Sequence, residues 1–107
     1  MGVLLVLTNL PDRASAEEMA RAIVDARLAA CVTILSEATS IYRWNGKREE
    51  AREVPVLMKT TSERYAALES GIHDAHPYEL PEIIAVPVEK GLPAYLGWVI
   101  TETRESE

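Results

Sequence analysis

The 107-residue sequence predicts an α+β fold, a chain of order β-α-β-β-α-β that lays its helices on one antiparallel sheet. Three observations predict it. Continuous apolar, β-branched runs alternate with stretches whose apolar residues recur at helical spacing. Asn45-Gly46 separates two strand-like runs and is the strongest short-range hairpin signal, because both residues tolerate the positive φ of a type I′ turn. The crossovers also match: 21 residues separate Asn9 from Ala30, and 21 separate Thr60 from Pro81. Equal helical crossovers joined by a hairpin are what a ferredoxin-like sandwich requires. The expected architecture is one domain spanning residues 1–107, with a long hairpin between its second and third strands and a short C-terminal helix.

Val3–Thr8 is continuously apolar, as expected of a central strand, and Pro11-Asp12 breaks it. Ser15 with Glu18 three residues later reads as a capping box opening a helix. Met19, Ala20, Ile23 and Val24 form the apolar stripe of that helix, while Glu17 and Arg21 pair on the other side. Ala30–Leu35 returns to a strand pattern that Thr39–Trp44 continues after a looser Ser36–Ala38. The next strand runs from Lys47 to Thr60, charged in its first half and apolar in its second, which suggests an arm leaving the core. Pro55 conflicts with a central position there, since it has no N–H for the ladder. A bulge, or a place where the ladder bond is absent, would accommodate it.

Thr60 and Glu63 suggest a second capping box, followed by a stripe of Tyr65, Leu68, Ile72 and Ala75. Gly71 weakens that helix by about 1 kcal/mol relative to alanine. Pro77 ends it and pushes His76 towards extended geometry. Ile83–Val88 is the fourth strand, and Pro93 opens a helix with Tyr95, Leu96, Val99 and Ile100, before a polar tail expected to fray from Thr101.

Seventeen acidic residues against eleven basic ones leave a net charge of −6, which disfavours nucleic acid and anionic membrane surfaces as partners. One cysteine permits no intrachain disulfide and fits a reducing cytosol. The first apolar run, Val3–Leu7, is too short for a signal peptide or a membrane span. A cytoplasmic protein is expected. A chain of this length hides roughly 65% of its unfolded surface, so burial between subunits would add stability.

No phosphate loop, nucleophile elbow or zinc-protease motif occurs, and no enzyme is expected. Cys31 and His76 could form a nucleophile–base pair, but Cys31 lies in Ala-Ala-Cys-Val inside a strand, where a free cysteine packs as a small hydrophobe. For a metal, His73 and His76 share one helix face, and Glu79, Glu82 and the Cys31 thiolate could join them. The competing readings are a solvated His73 and a His76 that bonds helix-end groups. Tyr42 and Trp44 share one face of the hairpin. They are expected at a contact between subunits, the alternative being that Trp98 folds over them. Lys47–Glu53 reads as a solvated edge.

The stretches LTNLPD (7–12), LAACV (28–32), SIYRWNGK (40–47), MKTT (58–61), HPYELPEI (76–83) and GLPAYLGW (91–98) resemble, in this order, the divalent-cation tolerance family CutA. The resemblance implies a ferredoxin-like protomer in a homotrimer, an architecture similar to the trimeric PII signalling proteins, and a link to divalent metals, copper above all. No cofactor is expected to be needed for folding. The family's histidine and cysteine map onto His76 and Cys31. Some members carry a further Cys where this chain has Thr8 and a second His where it has Ala75, so two potential copper donors are replaced here. His76, Tyr78 and Glu82 are the expected site, with Cys31, Tyr42, Trp44 and Lys59 as neighbours. A metal ion is the first ligand expected, and a small molecule or protein bound between subunits is the alternative.

Overall fold

The computed structural model describes residues 2–105. The elements are β1 (Val3–Leu10), α1 (Arg13–Asp25), β2 (Cys31–Ile34), β3 (Ala38–Trp44), β4 (Lys47–Thr61), α2 (Tyr65–Ala75), β5 (Ile84–Pro87) and α3 (Pro93–Glu102). The sheet runs β2-β4-β1-β5, with β3 continuing beside β4 beyond β2. Every pairing is antiparallel. The predicted α+β, ferredoxin-like order is therefore present, with the second predicted strand divided into β2 and β3.

That division accommodates Pro55. β2 pairs Ile34 with Val56, whereas β3 starts by pairing Ala38 with Glu53. Residues 35–37 thus face only Val54 and Pro55, a bulge that shifts the register by one. The Leu35 N–H donates to the Pro55 carbonyl at 2.9 Å. A strand residue's nitrogen and carbonyl point to the same side, so the missing Pro55 N–H falls where the ladder is already interrupted.

Alternation along the strands defines two faces. Val6, Thr8, Leu10, Val54, Val56, Met58 and Thr60 are buried on one, and the hydrophobic core joins them to Met19, Ile23, Leu68 and Ile72 of α1 and α2. The residues between them, including Leu5, Leu7 and Leu57, are only half-buried. Ile84 and Val86, which pair with Leu7 and Leu5, remain exposed. This second face is covered at one end, where α3 packs on β4 and β1 and Val3, Thr61, Val99 and Thr103 are all buried.

Three expectations about helix ends change. The cap of α1 is Asp12, whose carboxylate accepts the Ser15 N–H at 2.7 Å, rather than Ser15 itself. Thr60 stays in β4 and donates its hydroxyl to the Leu28 carbonyl, so α2 starts later, at Tyr65, without a side-chain cap. The chain does not fray from Thr101, because the buried Thr103 hydroxyl donates to the Val99 carbonyl at 2.8 Å. Helix α1 closes with Arg27 at φ 59°, and Arg64 offsets that strained position by donating to the carbonyls of Ala26 and Arg27. The expected cost of Gly71 has a packing counterpart: a Cβ there would meet Leu28 Cδ1 at 3.1 Å.

Candidate functional site

The hairpin turn forms as its sequence requires, with Asn45 at φ 52° and Gly46 at φ 78°. Its register pairs Trp44 with Lys47, Tyr42 with Glu49 and Ala38 with Glu53, so Tyr42, Trp44 and Glu53 share one face. Opposite them runs the 77–84 segment. The two walls enclose an open groove of about 1120 Å³ at the end of β1, lined by Tyr42, Trp44, Glu53, Tyr78, Glu79 and Glu82 among others, and continuous with the half-covered sheet face.

His76 anchors the second wall. It leaves the helix at φ −80° and ψ 135°, the extended geometry that the following proline demands. Its ring is buried: Nδ1 accepts the Tyr78 N–H at 3.2 Å, and Nε2 lies 2.6 Å from the Asn9 carbonyl. A carbonyl can only accept, so Nε2 carries the proton and His76 is the neutral Nε2–H tautomer. Both ring nitrogens are engaged. In this arrangement His76 presents no lone pair to a metal, and its role follows the alternative of a residue that bonds backbone groups at a helix end.

The other polar groups meet above it. Asn9 donates from Nδ2 to Glu82 at 2.8 Å. Tyr78 rests against the His76 ring with centroids 4.8 Å apart. Its phenol is pushed up to about 12, first by burial and then by the Glu53 carboxylate, with Tyr42 and Asp12 adding to the effect. Glu53 is itself only 8% exposed.

The remaining predicted residues lie elsewhere. Cys31 pairs with Lys59 across β2 and β4, with Lys59 Nζ 3.8 Å from the sulfur and 3.4 Å from the Thr33 hydroxyl. Lys59 is four residues along β4 from Pro55, the partner of Asn9, so this pair sits roughly 13 Å from the His76 level. Cys31 is half-buried rather than buried. His73 remains on α2 beside a second, smaller cleft with Glu69, Ser70, Pro81 and Ile83. His76, buried against Asn9 and Tyr78, does not line that cleft. Among the described residues, no three His, Cys, Asp or Glu side chains come together as a metal cluster. Trp98 does not cover the hairpin: it lies against Tyr95 at 5.5 Å, and Tyr42 and Trp44 stay 45% and 38% exposed.

Tyr42, Trp44, Tyr78 and Glu82 are thus brought together, while Cys31, Lys59 and His73 are not. Asn9 and Glu53 belong to the groove and were not foreseen. A signal for Glu53 was present, because counting back from the Asn45-Gly46 turn puts it on the Tyr42 face.

The family described as CutA1 divalent ion tolerance protein matches residues 4–102. The mouse Protein CutA is 50% identical over 95 residues, covering 87% of this chain and 54% of that protein. The divalent-cation tolerance protein CutA of Yersinia pestis is 43% identical over 96 residues, covering 90% and 81%. This chain spans just over half the length of the vertebrate relatives. Among solved structures, CutA from Xylella fastidiosa superposes with a TM-score of 0.94 at 46% identity, over 97% of this chain and all of that one. The divalent cation tolerance protein from Thermus thermophilus gives 0.93 at 40%, over 95% and 99%. The structure described as the periplasmic divalent cation tolerance protein CutA from Archaeoglobus fulgidus gives 0.92 at 32%, over 95% and 99%.

Proposed function

The chain belongs to the CutA1 divalent ion tolerance family, and from that premise we propose that it serves cation tolerance as a cytoplasmic homotrimer whose recognition site is the groove between the hairpin and the 77–84 segment. The observation that carries this reading is the gathering of Tyr42, Trp44, Tyr78 and Glu82 in one groove, while the soft metal donors stay apart. Tolerance then arises by sensing a bound ligand, as in the PII-like alternative, rather than by chelation. The half-covered sheet face supports assembly, and the resemblance supports three copies. The single cysteine supports the cytoplasm, a placement that fractionation of tagged protein checks.

Direct binding of copper is the second reading, and Cys31 favours it. Its thiol is half-buried on the face that neighbouring copies would cover, and sulfur is soft enough for copper. His76 adds nothing to that site while both its nitrogens are bonded. Calorimetric titration of the metal-free, assembled protein with Cu²⁺ and Zn²⁺, beside Cys31→Ser and His76→Ala, separates the readings. The groove reading expects no stoichiometric metal site that either substitution removes. Saturable copper binding near one ion per subunit, lost in Cys31→Ser, would replace sensing by chelation.

A further inference from the structure

We propose that a second copy of this chain completes the surroundings of Lys59: on assembly its ammonium group pairs with Glu49 on the hairpin arm of a neighbouring copy. This rests on the proposed homotrimer, and it names the contact that sets the place of each arm on the next sheet.

The sheet face that α1 and α2 leave uncovered is largely apolar. Leu5, Leu7, Leu57, Ile84 and Val86 lie on it, and strand register puts Lys59 among them, beside Leu5 on β1 and Cys31 on β2. Along β1, β2, β5 and the part of β4 from Pro55 to Thr61, Lys59 is the only charged residue that register assigns to this face. It is already half-buried, and among the described residues it forms no ion pair. Its ammonium group donates to the Thr33 hydroxyl at 3.4 Å and to the Cys31 sulfur at 3.8 Å, both long and neither a carboxylate. A copy that covers this face takes the ammonium out of water, and an ammonium buried without an anion is costly. The covering copy therefore has to bring a negative charge.

The arm supplies one. Its register places Glu49 opposite Tyr42, on the side that also carries Trp44, Lys47 and Glu53. Of the two carboxylates there, Glu53 is buried at the root of the arm and has the Tyr78 phenol as its partner. Glu49 is exposed and, among the described residues, forms no ion pair. Lys47 lies at the turn, opposite Trp44. The two rings thus match the apolar part of the sheet face, and the carboxylate beside them matches its cation. Within one chain the charges cannot meet. Ten residues of β4 separate Glu49 from Lys59, roughly 33 Å along an extended strand. The pair forms only between copies.

The test compares Lys59→Glu, Glu49→Lys and the double exchange with the unaltered chain, by sedimentation velocity over a dilution series. Each single reversal is expected to raise the concentration at which half of the copies dissociate at least tenfold, and the double exchange to return it to within about threefold. Both residues lie outside the sealed core, so circular dichroism is expected to show a folded protomer in every variant. Should Lys59→Glu fail to fold, Lys59→Met, Glu49→Gln and their combination carry the comparison. The pair then predicts that the two neutral substitutions together loosen the assembly no more than either does alone, and additive effects would overturn it. Assembly at full strength in both single reversals would also overturn the pair. So would a loosening by Lys59→Glu that Glu49→Lys does not repair, since the lysine would then have a different partner. Monomer mass for the unaltered chain at every concentration would overturn the homotrimer and the pair with it.

Discussion

Tyr78 and Thr8 are residues whose surroundings, rather than their identities, decide what they do. Burial and the Glu53 carboxylate both oppose the phenolate of Tyr78, so the folded protein holds its proton more tightly than the unfolded chain does. With a folded value of about 12 against an ordinary 10.0, its contribution to stability is complete below pH 10 and is lost as pH rises from 10 through 12. Absorbance titration near 295 nm is therefore expected to show a late tyrosine step that disappears in Tyr78→Phe. Thr8 is simpler. Its hydroxyl is buried on the core face and has no hydrogen-bond partner. Thr8→Val keeps the β-branched shape and removes the orphan, and is expected to stabilise the fold by about 1 kcal/mol in urea unfolding. Neither property was visible in the sequence. Thr8 was noted only as a replaced donor, and Tyr78 as an expected site residue without its raised phenol, because both properties depend on which side chains come to rest against them.

Elements were far easier to foresee than their ends. The hairpin, the long β4 and the α2 stop at Pro77 follow from local chemistry that operates within a few residues, namely positive φ, alternation and a missing N–H. The caps were misplaced because Ser15 and Thr60 each had a competitor. Asp12 reached the free N–H of Ser15 first, and the hydroxyl of Thr60 was drawn to the Leu28 carbonyl across the core. A short-range motif cannot register such a distant rival. The divided second strand was half visible as the looser Ser36–Ala38, and Pro55 supplies its reason, since an unbroken ladder there would lack a donor. The turn gives a clean test at this scale. A Cβ on Gly46 would meet nothing within 4 Å, so Gly46→Ala changes only the backbone preference at φ 78°. It is expected to cost about 1 kcal/mol in thermal unfolding.

For the whole molecule, the two faces of the sheet set the behaviour. One is sealed by α1 and α2, and the other leaves Ile84 and Val86 51% and 46% exposed beside the half-buried Leu5, Leu7 and Leu57. A contiguous apolar patch of this kind marks an association surface. Ile84→Glu is expected to leave the protomer folded, since the residue lies outside the sealed core, and to disperse the proposed homotrimer in sedimentation velocity. Because association favours the native state by mass action, its melting temperature should fall and lose its dependence on protein concentration. The groove opens on to the same face, so its place in the molecule follows from the topology. Its occupants did not: the sequence pointed to Cys31 and His76 by residue type, whereas strand register put one far along β4 and hydrogen bonding occupied the other.

The hairpin is an arm whose strands keep a strict two-residue period, and that period limits how it can be lengthened. Adding two residues to each strand would lengthen it by roughly 7 Å and leave every side chain facing as before. Adding one residue to β3 between Trp44 and the root would turn Ile41 and Arg43 towards the groove in place of Tyr42 and Trp44. A paired addition therefore preserves the two sides of the arm, whereas a single added residue exchanges them or has to be absorbed in a bulge, as at residues 35–37.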